Sequence, residues 1–243
     1  MRALTAAEVL DASERGGPQF PAQRALTLLG LADEEALGRE LSQLSVGERD
    51  AKLLALREGM FGRQLSGLTN CPACVEQLEF EIEAAALNLD VRTPGGPITL
   101  SQSEYAIDLR LPMSGDLVAL DPALGLEGNR RWLLDRCVLR ARRNDLEIEC
   151  SELPDDVQSS VARRLAEADP QADLHLALTC PKCQHSWRTA FDIVSFLWAE
   201  IENSAGKLLR EVHALAAAYG WPESEVLALT ASRRKAYLEL IEA

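Results

Sequence analysis

Apolar residues recur along this chain in two rhythms. Spacings of three and four dominate its two ends, and alternation dominates short stretches in between. Residues 1–66 read as mostly helical. Thr5 caps a first helix with Glu8 three residues on, and Gly16-Gly17-Pro18 stops it. A second helix runs from Ala22 to Leu29 and ends near Gly30, and a third spans about Asp33 to Leu44. Ser45, with Glu48 in the capping-box position, starts a strong fourth helix over Gly47 to Phe61, after which Gly62 and Gly67 loosen the chain. At the other end, Ile193, Leu197, Ile201, Ala205, Leu208, Val212, Leu215 and Tyr219 mark one long amphipathic helix. Gly220 supplies its left-handed terminus, Trp221-Pro222 opens a short helix through Leu229, and Thr230 or Ser232 caps a last helix.

Alternation predicts strands over Leu78–Glu83, Leu174–Leu178, Ser186–Phe191 and Tyr105–Leu111, the last ended by Pro112. Between about 93 and 173 the signals are mixed. The turn Thr93-Pro94-Gly95-Gly96-Pro97 opens this stretch, and Ser114 or Asp116 caps a short helix. A further helix carries Trp132 and Cys137. Another begins at Leu153-Pro154-Asp155-Asp156, with Pro154 in its first turn and Val157, Val161 and Leu165 on one face, until Pro170 stops it. Leu146, Ile148 and Cys150 alternate as one core-facing side of a strand, and Cys137 falls on a helix's apolar stripe, so both thiols read as buried core.

One word occurs twice, Cys71-Pro72-Ala73-Cys74 and Cys180-Pro181-Lys182-Cys183. Each copy sets two thiols on a tight turn before a short strand, as in a zinc ribbon, and four thiolates complete the tetrahedral shell of structural Zn²⁺. About 105 residues separate the pairs, so a long insertion leaves and rejoins the ribbon. A redox dithiol fits less well, because neither copy has a thioredoxin-like context. Disulfides require an oxidising compartment, and residues 1–20 lack the basic start and apolar run of a signal peptide. A site that has lost its metal is a further alternative. His185, two residues past Cys183, supports the site or faces solvent.

With 243 residues and 47% hydrophobic content, the chain is long enough for a substantial core. No stretch approaches the roughly 20 apolar residues of a membrane span. The expectation is a cytoplasmic protein. Its net charge of -13 disfavours nucleic acid, whose affinity rests on cations that neutralise phosphates. Arg130, Arg131, Arg136, Arg140, Arg142 and Arg143 form one basic cluster, which on a helix over 130–143 reads as a solvated face paired with nearby acids. Phosphate-loop, nucleophile-elbow and zinc-protease motifs are absent. A four-cysteine shell leaves no open coordination position, so the expectation is not an enzyme.

The fold class expected is α+β: an N-terminal helical region (1–66), a discontinuous zinc ribbon (67–92 and 174–191), a mixed insertion (93–173) and a C-terminal helical region (192–243). Aromatic and arginine side chains are the usual anchors of protein contacts, which makes Trp198, Trp221, Arg234 and Tyr237 candidates for partner binding, with local packing the alternative for the two tryptophans.

Several short motifs, in order, carry a resemblance. They begin with Gly47-Glu48-Arg49-Asp50, Leu53-Leu54-Ala55-Leu56-Arg57 and Phe61-Gly62 before the first knuckle. Leu109-Arg110-Leu111-Pro112, Asp116-Leu117 and Arg136-Cys137 follow, and after the second knuckle come Phe191-Asp192 and Phe196-Leu197-Trp198-Ala199-Glu200-Ile201. Arg210-Glu211-Val212-His213, Tyr219-Gly220-Trp221-Pro222 and Arg233-Arg234-Lys235-Ala236-Tyr237-Leu238 complete the series. From about residue 46 to the end the chain resembles a zinc-ribbon family encoded beside contractile phage tails and phage-derived injection systems, and more loosely the T4-type baseplate hub assembly chaperones. The resemblance implies a non-enzymatic assembly factor, or a component retained in the particle, whose partners are baseplate, hub or spike proteins. A nucleic-acid-binding regulator and a cargo-loading adaptor are the alternatives.

Overall fold

The computed structural model describes residues 1–33, 38–89 and 96–242. Helices α1 (Ala6–Gly16), α2 (Pro21–Ala32), α3 (Gly38–Gln43) and α4 (Val46–Phe61) open the chain. Both expected capping boxes form. The Thr5 and Ser45 hydroxyls accept from the N–H groups of Glu8 and Glu48, whose carboxylates accept in return from Thr5 and Ser45 N–H. Helix α2 runs through Gly30 to Ala32 rather than stopping there, because Leu28, Leu29 and Ala32 all bury a face.

Strands β1 (Gln64–Asn70) and β2 (Gln77–Glu83) form an antiparallel hairpin whose tip is the first knuckle, and a short helix α5 (Ala84–Leu87) follows. Gly67, read from sequence as a loosening residue, lies inside β1 opposite Phe80. A Cβ there would sit 2.4 Å from the Phe80 ring, so glycine lets that ring cover the strand.

The insertion is a four-stranded antiparallel meander, β3 (Ile98–Gln102), β4 (Tyr105–Leu109), β5 (Val138–Arg143) and β6 (Leu146–Ile148). Helices α6 (Ser114–Val118) and α7 (Gly125–Cys137) lie between β4 and β5, and α8 (Asp155–Ala168) follows β6. Ile107, Leu109, Ala141, Leu153, Val157 and Val161 make its core. Several sequence expectations change here. Helix α7 ends at Cys137, and residues 138–143 are extended because they pair with β4, so no helix spans 130–143. Arg140, Arg142 and Arg143 nevertheless meet acids, Glu147, Asp108 and Glu104 respectively. Leu146 is exposed, and Cys150 opens a 3-10 turn rather than extending β6, though it still packs on the insertion core. Pro154 takes the N-cap position of α8. Asp116 accepts from Met113 N–H within the first turn of α6, while the Ser114 hydroxyl donates to Leu44 O. Of the expected opening turn of the insertion, residues 93–95 lie outside the described residues.

Strands β7 (His175–Thr179) and β8 (Ser186–Ala190) form a second hairpin around the second knuckle. The 27-residue helix α9 (Ile193–Tyr219) follows, capped by the Asp192 carboxylate at its start and by left-handed Gly220 at its end. Helices α10 (Glu223–Ala228) and α11 (Ala231–Glu242) fold back on its far end around Val212, Leu215 and Val226.

The main core joins α1, α2, α4 and α9 with the stems of both hairpins, Leu65, Phe80, Ile82, Leu176 and Leu178. The buried Arg57 binds Glu200 in a two-point ion pair at 3.0 and 2.7 Å, tying α4 to α9. The insertion docks on the start of α4 through polar contacts. Val46 N–H donates to Pro112 O, Ser114 N–H donates to Leu44 O, and Gly47 N–H donates to the buried Asp169 carboxylate at 2.8 Å. Gln171 clamps the other side, donating to Leu87 O and accepting from Leu89 N–H.

Candidate metal centre

Both knuckles are built alike. Cys71 N–H donates to Glu76 O and Val75 N–H to Cys71 O; Cys180 N–H donates to His185 O and Gln184 N–H to Cys180 O, all at 2.9 Å. Val75 and Gln184 both take φ of 61°, the left-handed turn that brings each strand back. Each hairpin thus ends in the same rigid loop with its two sulfurs on one side.

The two tips face each other. All four sulfurs of Cys71, Cys74, Cys180 and Cys183 lie within 4.8 Å of one another, with Cys71–Cys183 and Cys74–Cys180 at 3.7 Å. A tetrahedral ion with metal–sulfur bonds of about 2.3 Å requires sulfur–sulfur edges of about 3.8 Å. The donor set and its spacing therefore fit a closed four-thiolate metal site. Cys71 and Cys180 are buried, Cys74 is half-buried and Cys183 exposed, so an ion there would sit at the rim of the fold. Lys182 pairs with Glu76 across the gap between the knuckles.

The electrostatics also suit a cation. Burial pushes the Cys71 thiol up, but the backbone of Cys74 and Ala73 and the neighbouring thiols outweigh it and bring the group down to about 7. At Cys74 the Glu76 backbone lowers the thiol, yet burial and three nearby sulfurs push it up to about 12. Cys183 is lowered by the His185 backbone and raised overall by burial and by Cys71 and Cys180. One negative charge forms readily in this cluster and opposes the next, the arrangement that a divalent cation resolves.

The remaining cysteines stand apart. Cys137 is buried at the end of α7, where burial pushes its thiol up to about 11, and burial also raises Cys150. His185 is exposed and its ring stacks on Trp187, outside the cluster.

Two of the four residues expected to meet a partner are buried and bonded inside the fold. Trp198 is 3% exposed. Its ring lies over Gly16, where a Cβ would come within 2.1 Å, Arg24 stacks on it at 4.5 Å, and its N–H donates to Glu202. Arg234 is 6% exposed and donates to Glu211 and to Leu229 O, locking α11 to α9. Trp221 and Tyr237 are half-buried. They form a three-ring cluster with Tyr219, stacked on Trp221 at 4.7 Å, where α9 ends. Sequence reading placed Tyr219 on the α9 stripe but gave no sign that it would join the other two rings. Nor did it mark the Lys182–Glu76 bridge, whose only signal was a lysine between Pro181 and Cys183.

No helix among the described residues is long and apolar enough to cross a membrane. Residues 32–198 match the family model described as T4 bacteriophage base plate protein, and the chain belongs to that family. The match holds both knuckles and the whole insertion; the motifs beyond Trp198 lie outside it. No curated protein and no solved structure matches the chain.

Proposed function

We propose that this member of the T4 base plate family is a non-enzymatic assembly factor or baseplate-associated component of a contractile tail or phage-like injection system, built around structural Zn²⁺ in a split zinc ribbon. The observation that carries the reading is the co-location of a four-sulfur cluster of tetrahedral dimensions with the family match. Cys71, Cys74, Cys180 and Cys183 would hold the ion. Bound zinc would supply a cross-link that offsets part of the thiolate charge, with no coordination position free for a substrate.

The chain's own residues determine what that cross-link does. Both hairpins root in the main core through Leu65, Phe80, Leu176 and Leu178, and the insertion leaves from the foot of one and returns at the foot of the other. Joining the tips closes a loop of about 105 residues, a length at which cross-linking restricts the unfolded chain strongly. The insertion is thereby presented at a fixed angle to the helical body. Trp221 and Tyr237, with Tyr219, form the partly open aromatic cluster that we assign to partner contact, and hub, spike or other baseplate proteins are the partners the family suggests.

A pull-down of the tagged chain from its native host, with metal analysis of the same eluate, tests the reading. The expected result is baseplate or spike subunits together with about one zinc per chain, and loss of the metal in Cys180→Ser. Retention of full metal content by Cys180→Ser would remove the zinc assignment. Recovery of polymerase subunits or nucleic acid in place of tail proteins would remove the baseplate one.

A further inference from the structure

Helix α7 is the least covered long element of the insertion. Of its 13 residues only Cys137 is buried, while Leu126 is 83% exposed and Leu124, just before the helix, 50%. It packs on its chain neighbours, the turns at 122–124 and 150–152 and strand β5. Between α7 and α8 runs a groove of about 820 Å³ with an apolar floor that includes Leu134, Leu153 and Leu165. That is too much open apolar surface for a helix whose stripe is satisfied internally.

The rims of the groove differ in sign. Arg130 and Arg131 line the α7 side, and neither makes an ion pair among the described residues; Glu127, one turn earlier, pairs with neither of them. Asp155 and Asp173 line the opposite side. On a chain with net charge -13, Arg130 and Arg131 outweigh Glu127 and leave the α7 rim net positive, opposite a rim that carries Asp155, Asp169 and Asp173. Two helical walls and a floor with Leu134, Leu153 and Leu165 match the helix-in-groove mode of recognition, read by a ridge of apolar residues at three- and four-residue spacing. The charge adds specificity and association rate.

We infer that the α7–α8 groove binds an amphipathic helix of another tail protein, its apolar ridge on the groove floor and its acidic flank against Arg130 and Arg131. This rests on the baseplate reading, and it places a second contact surface on the insertion, away from the aromatic cluster at the end of α9.

The test uses the full chain carrying a photo-crosslinking benzoylphenylalanine at Ala162, an exposed residue on the α8 wall of the groove, produced in the native host during tail assembly, with the cross-linked segments mapped by mass spectrometry. The expected product joins position 162 to a helical segment with an apolar ridge and an acidic flank. Arg130→Glu with Arg131→Glu should lower its yield at least tenfold without changing the melting temperature, and the distant Arg188→Glu should leave the yield unchanged. Cross-linking to such a helix in a protein foreign to the tail would sustain the groove while removing the baseplate reading. Cross-links to a second copy of this chain or to nucleic acid would overturn the groove proposal, as would none at all or a yield indifferent to the arginines. That holds even where baseplate proteins still co-purify.

Discussion

Two glycines in one helix should respond to alanine with opposite signs. At Gly47, in the first turn of α4, a Cβ would lie 1.8 Å from Asp169 Oδ1 and 2.6 Å from its Cγ, more than 1 Å inside van der Waals contact. Asp169 is buried, so it cannot swing freely into water. To make room it must give up the Gly47 N–H bond at 2.8 Å and with it the charge that caps α4. Strain of about 1–3 kcal/mol and loss of a cap of about 1 kcal/mol outweigh a helix-propensity gain of at most ~1 kcal/mol. The net expectation for Gly47→Ala is a loss of about 1–3 kcal/mol, a melting temperature roughly 2–12 °C lower for a chain of this size. Gly59 is exposed in the same helix with nothing within 4 Å of its Cβ position. Gly59→Ala should therefore gain about 0.5–1 kcal/mol. Calorimetric melting of the two variants, with Asp169→Ala in the wild-type and Gly47→Ala backgrounds, measures both signs and the coupling. The contact between Asp169 and α4 would be refuted if Gly47→Ala melted like Gly59→Ala, or if its penalty added fully to that of Asp169→Ala.

Three other results follow from buried groups. Burial raises the Asp50 carboxyl from 3.8 to about 6 despite the adjoining Arg49, with Asp192 and Asp169 adding to the effect. Its folded form holds the proton more tightly, so its contribution to stability falls as pH rises from about 4 to about 6. Asp50→Asn should gain on the wild type by up to about 3 kcal/mol across that window. Urea midpoints at pH 4.5 and 7.5 check this, and a difference independent of pH would sink it. Arg234→Ala should strand Glu211 and cost about 3 kcal/mol locally. Hydrogen exchange would then quicken about a hundredfold in α11 while α2 and α4 stay protected; unchanged α11 protection would mean the Arg234–Glu211 bond does not hold that helix. Trp198→Ala should cost about 3–5 kcal/mol through loss of the ring between Gly16 and Arg24, and a thermal shift equivalent to under ~1 kcal/mol would contradict its buried role.

Features written in short-range chemistry were legible along the chain. The two Cys-Pro-x-Cys words specify both the donor type and the turn, so the four sulfurs were identifiable before any fold was known. The Thr5/Glu8 and Ser45/Glu48 boxes announced their helices, and a 27-residue stripe ending in Gly220 announced α9, because a helix makes its hydrogen bonds within its own segment.

Strands and surfaces were decided elsewhere. β1 buries only Leu65 and carries a glycine opposite Phe80, so its own residues barely favour extension; pairing with β2 across the knuckle makes it a strand. Residues 138–143 bear spacings that a helix would accept, and pairing with β4 and β6 holds them extended. The knuckles meet only because two hairpins, separated by about 105 residues, root in one core. Burial of Trp198 under α1 and of Arg234 against Glu211 likewise depends on which helices come to lie beside α9. Periodicity shows that a face is apolar. Only the packed chain shows whether its own elements cover that face, as they do along α9, or leave it open, as they do along α7.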